Sequence, residues 1–292
     1  MSFTRTLKVA ALMLAGAIVA GSTAQAAGPS PMQTVRYPWT GTDDEIAVNL
    51  AIGSLRDSMM KWLTSERGVH AETLLVSIGA VAGFSAQMAV QERIKNRDIP
   101  GATKDMTAPE LGKFMGERSI AVQVTGKNGE IYYYGDLLNG YLLKQAYTVD
   151  PPLYNILGGG AVEAGMKAAD LPDMIPIFTR ASRAIGTPEY GNLNVPKNLN
   201  PHFTPRQALD KFWPQVKFIF ERQDGQGVGP AKGRNVKPEY WPLVTALVAR
   251  QFLVMAKDAV DPRVAFELMM ESAIVMSKID PAKVPQEAPE AN

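Results

Sequence analysis

The stretch TLLVSIGAVAGFSAQMAVQ, residues 73–91, decides the fold of this chain because it contains no charged side chain. A helix that is apolar on all sides has to be enclosed, either by other helices of the same protein or by lipid. Gly79 and Gly83 lie four residues apart, the spacing with which small residues let two helices approach closely. We therefore predict a buried central helix over about residues 72–97.

A membrane span is the alternative interpretation of this stretch, since it is long enough to cross a bilayer. However, it contains the polar side chains of Ser77, Ser85, Gln87 and Gln91. Such side chains are unfavourable in hydrocarbon, and no belt of aromatic residues flanks the stretch. We predict instead a mainly α, bundle-like single domain that surrounds the central helix.

The N-terminus has the three parts of a secretory signal peptide. Arg5 and Lys8 form a positive start, residues 9–21 are uncharged and mostly apolar, and Ala24 and Ala26 supply a cleavage site of small residues. An uncleaved membrane anchor is the alternative, but the apolar run is shorter than the ~20 residues that span a bilayer. We expect cleavage near Ala26, which makes the chain an exported protein, periplasmic or secreted, without a transmembrane span.

The rest of the chain divides into three parts. Residues 27–41 contain prolines and little hydrophobic pattern, so we expect an extended linker. Residues 42–280 carry the helical patterns and form the predicted domain. In it, a Thr followed three residues later by Glu or Gln is the capping-box signal of a helix start, and it occurs at Thr42, Thr107 and Thr204. Residues 281–292 are rich in proline and poor in apolar side chains, so we expect a disordered tail.

A small β-hairpin is predicted over about residues 120–136, where two alternating segments flank Asn-Gly at 128–129. This dipeptide is the signature of a two-residue hairpin turn. Such a turn pairs Thr125 with Tyr132 and puts Tyr132 and Tyr134 on the wetter face of the hairpin. We expect these tyrosines to form a surface that binds a partner; coverage by a neighbouring helix is the alternative.

Composition excludes several classes of function. The chain has no cysteine, which removes disulfides, thiolate zinc sites and thiol catalysis. Its formal net charge is +1 at pH 7, and so small a charge gives no electrostatic attraction to nucleic acid or to acidic membrane surfaces. The 14 methionines include no M-x-M pattern, which favours core packing over copper binding. We predict no nucleic-acid partner and no cofactor.

His70 and His202 are the only histidines in the sequence, and each stands just before a predicted helix. Together with Glu72 they would form an acid–base or metal site if the fold brought them together. Their sequence spacing gives no reason to expect this, and Glu72 is explained by the helix dipole, which favours a carboxylate in the first turn. We keep all three as candidate ligand-binding residues and predict no metal.

Charged residues supply two further candidates. Glu267 and Glu271 lie four residues apart on the predicted last helix, without the histidine that a di-iron site requires, so we expect them on a solvated face. Residues 224–237 are glycine-rich and basic and precede a helix start, an arrangement that can hold an anion. Lys232 and Arg234 are its candidate ligands, and a mobile surface loop is the alternative.

Two functional hypotheses remain. In the first, the chain is a non-enzymatic envelope or periplasmic protein that binds a protein, peptide or small molecule through the tyrosine face or through residues 186–203, a long irregular segment of the kind that is often functional. In the second, it is an exported enzyme, resembling a hydrolase, with a dispersed site of histidine and carboxylate groups. We favour the first because no nucleophile with a recognisable base occurs in the sequence.

Overall fold

The computed structural model describes residues 37–143, 147, 151–194, 199, 201–221 and 235–287. The predicted signal peptide, Lys232, Arg234 and residues 288–292 lie outside this part of the chain. Nine α-helices and two antiparallel two-stranded sheets occur within it. The predicted class, mainly α with a buried central helix and a small hairpin, is confirmed.

The helices follow one another in chain order and are numbered accordingly. They are α1 (Glu45–Leu63), α2 (Ala71–Lys95), α3 (Ala108–Glu117), α4 (Asp136–Leu142), α5 (Leu153–Glu163), α6 (Ile175–Ala184), α7 (Pro205–Glu221), α8 (Trp241–Met255) and α9 (Pro262–Met276). The strands β1 (Thr64–Ser65) and β2 (Gly68–Val69) link α1 to α2. The strands β3 (Val122–Thr125) and β4 (Ile131–Tyr134) form the predicted hairpin.

Helix α2 is the centre of the fold, and α7, α8 and α9 pack around it. It is the one helix of the described residues that is long and apolar enough to cross a membrane, but 94% of its most apolar window is buried inside the protein. A helix enclosed in this way is the core helix of a bundle. Gly79 and Gly83 lie directly against the backbone of Met269 and Ala273 on α9, where a Cβ atom would collide with main-chain atoms.

Two of the three predicted capping boxes form. Thr107 Oγ1 accepts from the Glu110 N–H at 3.5 Å, and Glu110 Oε2 accepts from the Thr107 N–H at 2.7 Å. Thr204 and Gln207 exchange the same two bonds at 3.2 and 3.0 Å. Each reciprocal pair satisfies two backbone donors at the helix start that the helix itself leaves unpaired.

The capping box predicted at Thr42 does not form. The Thr42 hydroxyl donates to the Trp39 carbonyl at 2.7 Å, and Glu45 Oε2 accepts from the Gly41 N–H at 2.8 Å. The chain therefore makes a turn before α1, which begins only at Glu45. Trp39 is buried in this turn, so the predicted linker ends before that residue.

The hairpin register differs by one residue from the predicted one. Val124 pairs with Tyr132 and Gln123 with Tyr133, because the turn holds three residues rather than two. Gly129 ends that turn at φ +81°, in the left-handed region that three-residue hairpin loops require. A one-residue shift exchanges the two faces of a strand, so Tyr132 turns inward.

The chain after α9 is ordered further than predicted. A 3₁₀ turn covers Pro281–Lys283, and the Val284 side chain after it is buried. Just before this turn, the Lys278 carbonyl accepts from the Tyr133 N–H at 2.9 Å, and Ile279 bridges to Tyr132. The disorder predicted from residue 281 is therefore not found as far as Gln286, because Val284 is buried, Arg206 on α7 donates to the Lys283 carbonyl and the Gln286 side chain donates to the Val284 carbonyl.

Candidate functional site

The fold brings the two histidines together. His70 is the N-cap residue of α2, and its imidazole ring stacks on that of His202 with ring centroids 4.2 Å apart. Thr73 joins them, because its hydroxyl accepts from the His202 N–H at 2.9 Å and lies 2.9 Å from His70 Nδ1. Glu72 Oε2 lies 3.5 Å from the same Nδ1. Three of the candidate residues therefore form one histidine cluster.

The histidine cluster has the parts of a proton-transfer group. The Thr73 hydroxyl accepts from the His202 N–H, and it can donate to His70 Nδ1 or accept from it, according to which ring nitrogen carries the proton. The His70 side chain is 37% exposed, so solvent reaches the ring. Among the described residues, no group of three or more His, Cys, Asp or Glu side chains is arranged to hold a metal ion.

The tyrosine face is not the exposed binding surface that the sequence predicted. Tyr132 is only 3% exposed, whereas Tyr134 is 38% exposed. The Tyr132 ring packs edge-on against Tyr190 with centroids 5.0 Å apart, and burial raises the pKa of both phenols. The Tyr190 ring covers Tyr132, which removes Tyr132 from any surface that a partner could contact.

The first part of the long segment 186–203 is packed against the domain. The Tyr190 hydroxyl donates to the Val275 carbonyl, and the Asn194 N–H donates to Glu271 Oε2 at 3.0 Å. Arg180 on α6 forms an ion pair with the same carboxylate. A cavity of about 240 Å³ lies between this segment, α6 and α9. The described residues 186–194 thus anchor to α9 rather than extend as a free loop.

Glu271 is therefore not on a solvated face as predicted. It is 4% exposed, and burial raises the pKa of its carboxyl group, an effect that Arg180 and Asn194 oppose. Glu267, four residues earlier, does lie at the surface, where it accepts from Arg263 Nε at 3.1 Å. The helical spacing placed both carboxylates correctly on one helix, but it could not show that α6 covers one of them.

Lys278, just past the end of α9, is a second buried charge in this region. Its side chain is completely buried, and its Nζ has no hydrogen-bond partner in the described part of the chain. The Nζ lies 4.2 Å above the ring of Phe178 on α6. Burial lowers the pKa of this amine from 10.5 to about 8, because a charged group is disfavoured away from water.

A groove of about 370 Å³ lies between β3 and α3, with the end of α2 as its floor. We call it the β3–α3 groove. Its apolar lining comes from Ile94, Met115 and Val122, and Gly112 and Gly116 form part of its α3 wall. An added Cβ atom at either glycine would meet nothing within 4 Å. The bare backbone of α3 therefore leaves this side of the groove open.

The polar groups of the β3–α3 groove are all uncharged. Gln123 Nε2 donates to the Tyr133 hydroxyl at 3.0 Å, and burial raises the pKa of that phenol, which keeps it protonated. The Tyr133 proton is therefore available to an acceptor in the groove. Gln91 Nε2 is buried and has no hydrogen-bond partner among the described residues. An unpaired buried donor of this kind costs about 1–3 kcal/mol, which a bound acceptor would recover.

Sequence reasoning did not select the residues of this groove. Gln91 served only as an argument against a membrane span, Gln123 was not selected as a site residue, and the predicted register put Tyr133 on the buried face of the hairpin. Gly112 and Gly116 repeat the four-residue spacing of Gly79 and Gly83, which is a signal that the sequence does contain. Spacing alone, however, does not tell a packed glycine pair from an open one.

Comparison of the chain with protein-family models, with curated proteins and with solved structures finds no match.

Proposed function

We propose that this chain is an exported protein of the cell envelope or periplasm, and that its helical domain binds a partner in the β3–α3 groove. The export half of the proposal rests on the positive start, the apolar run and the small cleavage residues of positions 1–26. The binding half rests on the groove itself. Neither half involves nucleic acid, since the chain is nearly neutral.

One observation carries the binding half: Gln91, which lines this mostly apolar groove, has a buried amide nitrogen without a hydrogen-bond partner among the described residues. Ligand sites are typically concave and mostly apolar, with a few polar groups that fix the orientation of the ligand. The β3–α3 groove fits that description, because Gln91, Gln123 and Tyr133 are polar and their neighbours are apolar. Its volume of about 370 Å³ also lies within the range of about 300–1,000 Å³ of such sites.

The experiment is native mass spectrometry of the protein recovered from the envelope fraction of cells that express the full-length chain. We expect a mature chain that starts at Ala27 and carries additional bound mass. Gly112→Leu fills the groove and should remove that mass. Gly159→Leu is the matched control, because Gly159 is an exposed glycine of α5 where an added Cβ also meets nothing within 4 Å.

Each half of the proposal has its own contradicting result. A chain that retains Met1 and stays in the cytoplasmic fraction contradicts export. If Gly112→Leu carries as much bound mass as Gly159→Leu does, the groove is not the binding site. Thermal unfolding of both variants shows whether they are folded before either result is used.

A second candidate function, an exported enzyme resembling a hydrolase, is favoured by the histidine cluster. Its test is turnover of a panel of chromogenic esters, phosphates and glycosides by the wild type and by His202→Phe. The variant keeps an aromatic ring to stack on His70 and keeps the backbone N–H that donates to Thr73, but it removes the imidazole nitrogens. Turnover that disappears in the folded variant supports this candidate, and the binding proposal predicts no turnover that depends on His202.

A further inference from the structure

The two edges of the β3–β4 hairpin are in different environments. In an antiparallel pair, residues alternate between those that bond to the partner strand and those whose backbone groups point outward. The Gly126 N–H donates to the Glu130 carbonyl at 2.8 Å, so Val124 is the next inward-bonded residue on β3. Gln123 and Thr125 therefore present their N–H and C=O groups at the outer edge of β3.

The outer edge of β4 is covered, whereas no described residue bonds to the outer edge of β3. On β4, the outward Tyr133 N–H donates to the Lys278 carbonyl at 2.9 Å, in agreement with the alternation. On β3, neither Gln123 nor Thr125 has a backbone partner outside the hairpin within the described residues. An open edge is a template on which another extended segment can pair.

The open edge of β3 faces into the β3–α3 groove. Gln123 lines the groove on the strand side. Gly112 and Gly116 line it on the helix side, where nothing lies within 4 Å of an added Cβ. At these two positions no side chain of α3 narrows the gap between the strand edge and the helix. Grooves between an edge strand and a helix bind peptides by adding them to the sheet as a further strand.

We infer that the β3–α3 groove binds an extended polypeptide segment, which adds to the outer edge of β3. Its backbone pairs with the N–H and C=O groups of Gln123, and one apolar side chain packs on Met115 and Val122. A carbonyl oxygen of the segment or of its side chains accepts from Gln91 Nε2. This inference rests on the proposed function, and it names the partner of the same site.

The chemistry of the lining determines the kind of segment. None of the described residues that line the groove carries a charge, so a charged side chain placed there would lose water without gaining a counter-ion. The seated part of the segment is therefore uncharged. Because neighbouring side chains of a strand point to opposite sides, apolar residues should recur at every second position of the segment.

The probe is a display library of random nine-residue peptides, selected on the full mature chain. We expect enriched peptides that alternate apolar and polar residues and carry no charge at their centre. Binding of these peptides should weaken about tenfold or more in Gln123→Pro, which removes the outward N–H. The Gln123→Ala variant loses the same side chain but keeps that N–H, so it should bind the peptides about fivefold or more tightly than Gln123→Pro does.

The Gln123→Pro substitution leaves the bonds to β4 intact, because the backbone N–H of Gln123 points away from β4. Proline is tolerated at such edge positions. If this variant fails to fold, the enriched peptide is instead N-methylated at its central residues, one at a time. At least one methylated peptide should lose binding while its side chains are unchanged. The inference is overturned if no peptide is enriched or if Gln123→Pro binds the enriched peptides as tightly as the wild type does. It is also overturned if none of the N-methylated peptides binds more weakly.

Failure of the inference and failure of the proposed function give different results. One result is that the wild type carries a bound small molecule, that Gly112→Leu loses it and that no peptides are enriched. The groove then remains a binding site, but its occupant is not a peptide. If the selected peptides bind Gly112→Leu and Gly159→Leu equally well, both the peptide inference and the proposed binding function of the groove are overturned. A self-association of the wild type that Gln123→Pro abolishes makes the occupant a second copy of this chain and overturns the peptide partner.

Discussion

Two glycine pairs with the same spacing have opposite environments in this molecule. Gly79 and Gly83 on α2 lie against the backbone of α9, where a Cβ atom would collide with main-chain atoms of Met269 and Ala273. Gly112 and Gly116 on α3 face open space. In the first pair the missing side chains bring two helices together, and in the second they leave a groove accessible.

The comparison shows what a small-residue spacing does and does not determine. It puts both glycines on one face of a helix, because residues four apart are neighbours on that surface. Whether the face meets another helix depends on the rest of the helix. Helix α2 is apolar all round and must be enclosed, whereas α3 buries only Leu111 and Met115 and leaves its other residues nearer to solvent.

The largest effect is expected at the packed pair. Gly83→Ala places a methyl group against the α9 backbone, which cannot move aside as a flexible side chain would. We expect a loss of about 3 kcal/mol in the free energy of unfolding, as for other overpacked cores, measured by urea denaturation. Gly53→Ala on α1, where an added Cβ meets nothing within 4 Å, is the control. Equal stability of the two variants would contradict the tight α2–α9 contact.

An effect of comparable size and opposite sign is expected at Lys278, just beyond the packed face of α9. Its lowered pKa of about 8 means that between pH 8 and 10.5 the unfolded chain holds a proton that the folded chain has released. Stability therefore rises with pH across that window, and the penalty of the buried charge is fully present below it. Lys278→Met should be more stable than the wild type at pH 7 by on the order of 3 kcal/mol.

The pH dependence separates this account of Lys278 from a simple packing effect. Urea denaturation of the wild type and of Lys278→Met at pH 7, 8.5 and 10 gives the difference in stability without the contribution of other titrating groups. That difference should shrink as the pH rises, since the wild-type amine loses its charge. A difference that stays constant with pH would mean that the folded protein keeps the proton on this amine up to pH 10, so that burial does not lower its pKa.

The smallest effect is expected at the open pair, where a substitution should increase the stability rather than decrease it as at the packed pair. Gly112→Ala adds a methyl group in open space and removes the flexibility of glycine from a helix, so stability should increase by about 0.5–1 kcal/mol. Thermal unfolding of Gly112→Ala against the wild type measures it. Destabilisation would show that α3 lies closer to a neighbour than the groove allows.

Much of the fold followed from the sequence, because strong local patterns determine it. The central helix was predicted at about 72–97 and observed at Ala71–Lys95, and the capping boxes at Thr107 and Thr204 formed. The hairpin was found, but its register was not, because Asn-Gly occurs in turns of two and of three residues. The shift of the register by one residue determines which of Tyr132 and Tyr133 lies on the buried face of the hairpin.

Less of the candidate site followed from the sequence, because tertiary packing creates it. His70 and His202 were each singled out, but their stacking depends on how the segment before α7 lies on α2. The β3–α3 groove combines residues from α2, α3 and the hairpin, none of which carries a chemical motif. A buried donor such as Gln91 becomes informative only when its surroundings are known.

The most direct test of the central claim is hydrogen exchange of the Gln123 and Thr125 amides, measured by NMR. The protein recovered with its bound partner is compared with the same protein after the partner has been removed by unfolding and refolding. The account predicts that both amides exchange fast in the free protein and become protected when the partner is bound. Unchanged exchange at these two residues in the partner-bound protein would contradict the β3–α3 groove as the binding site.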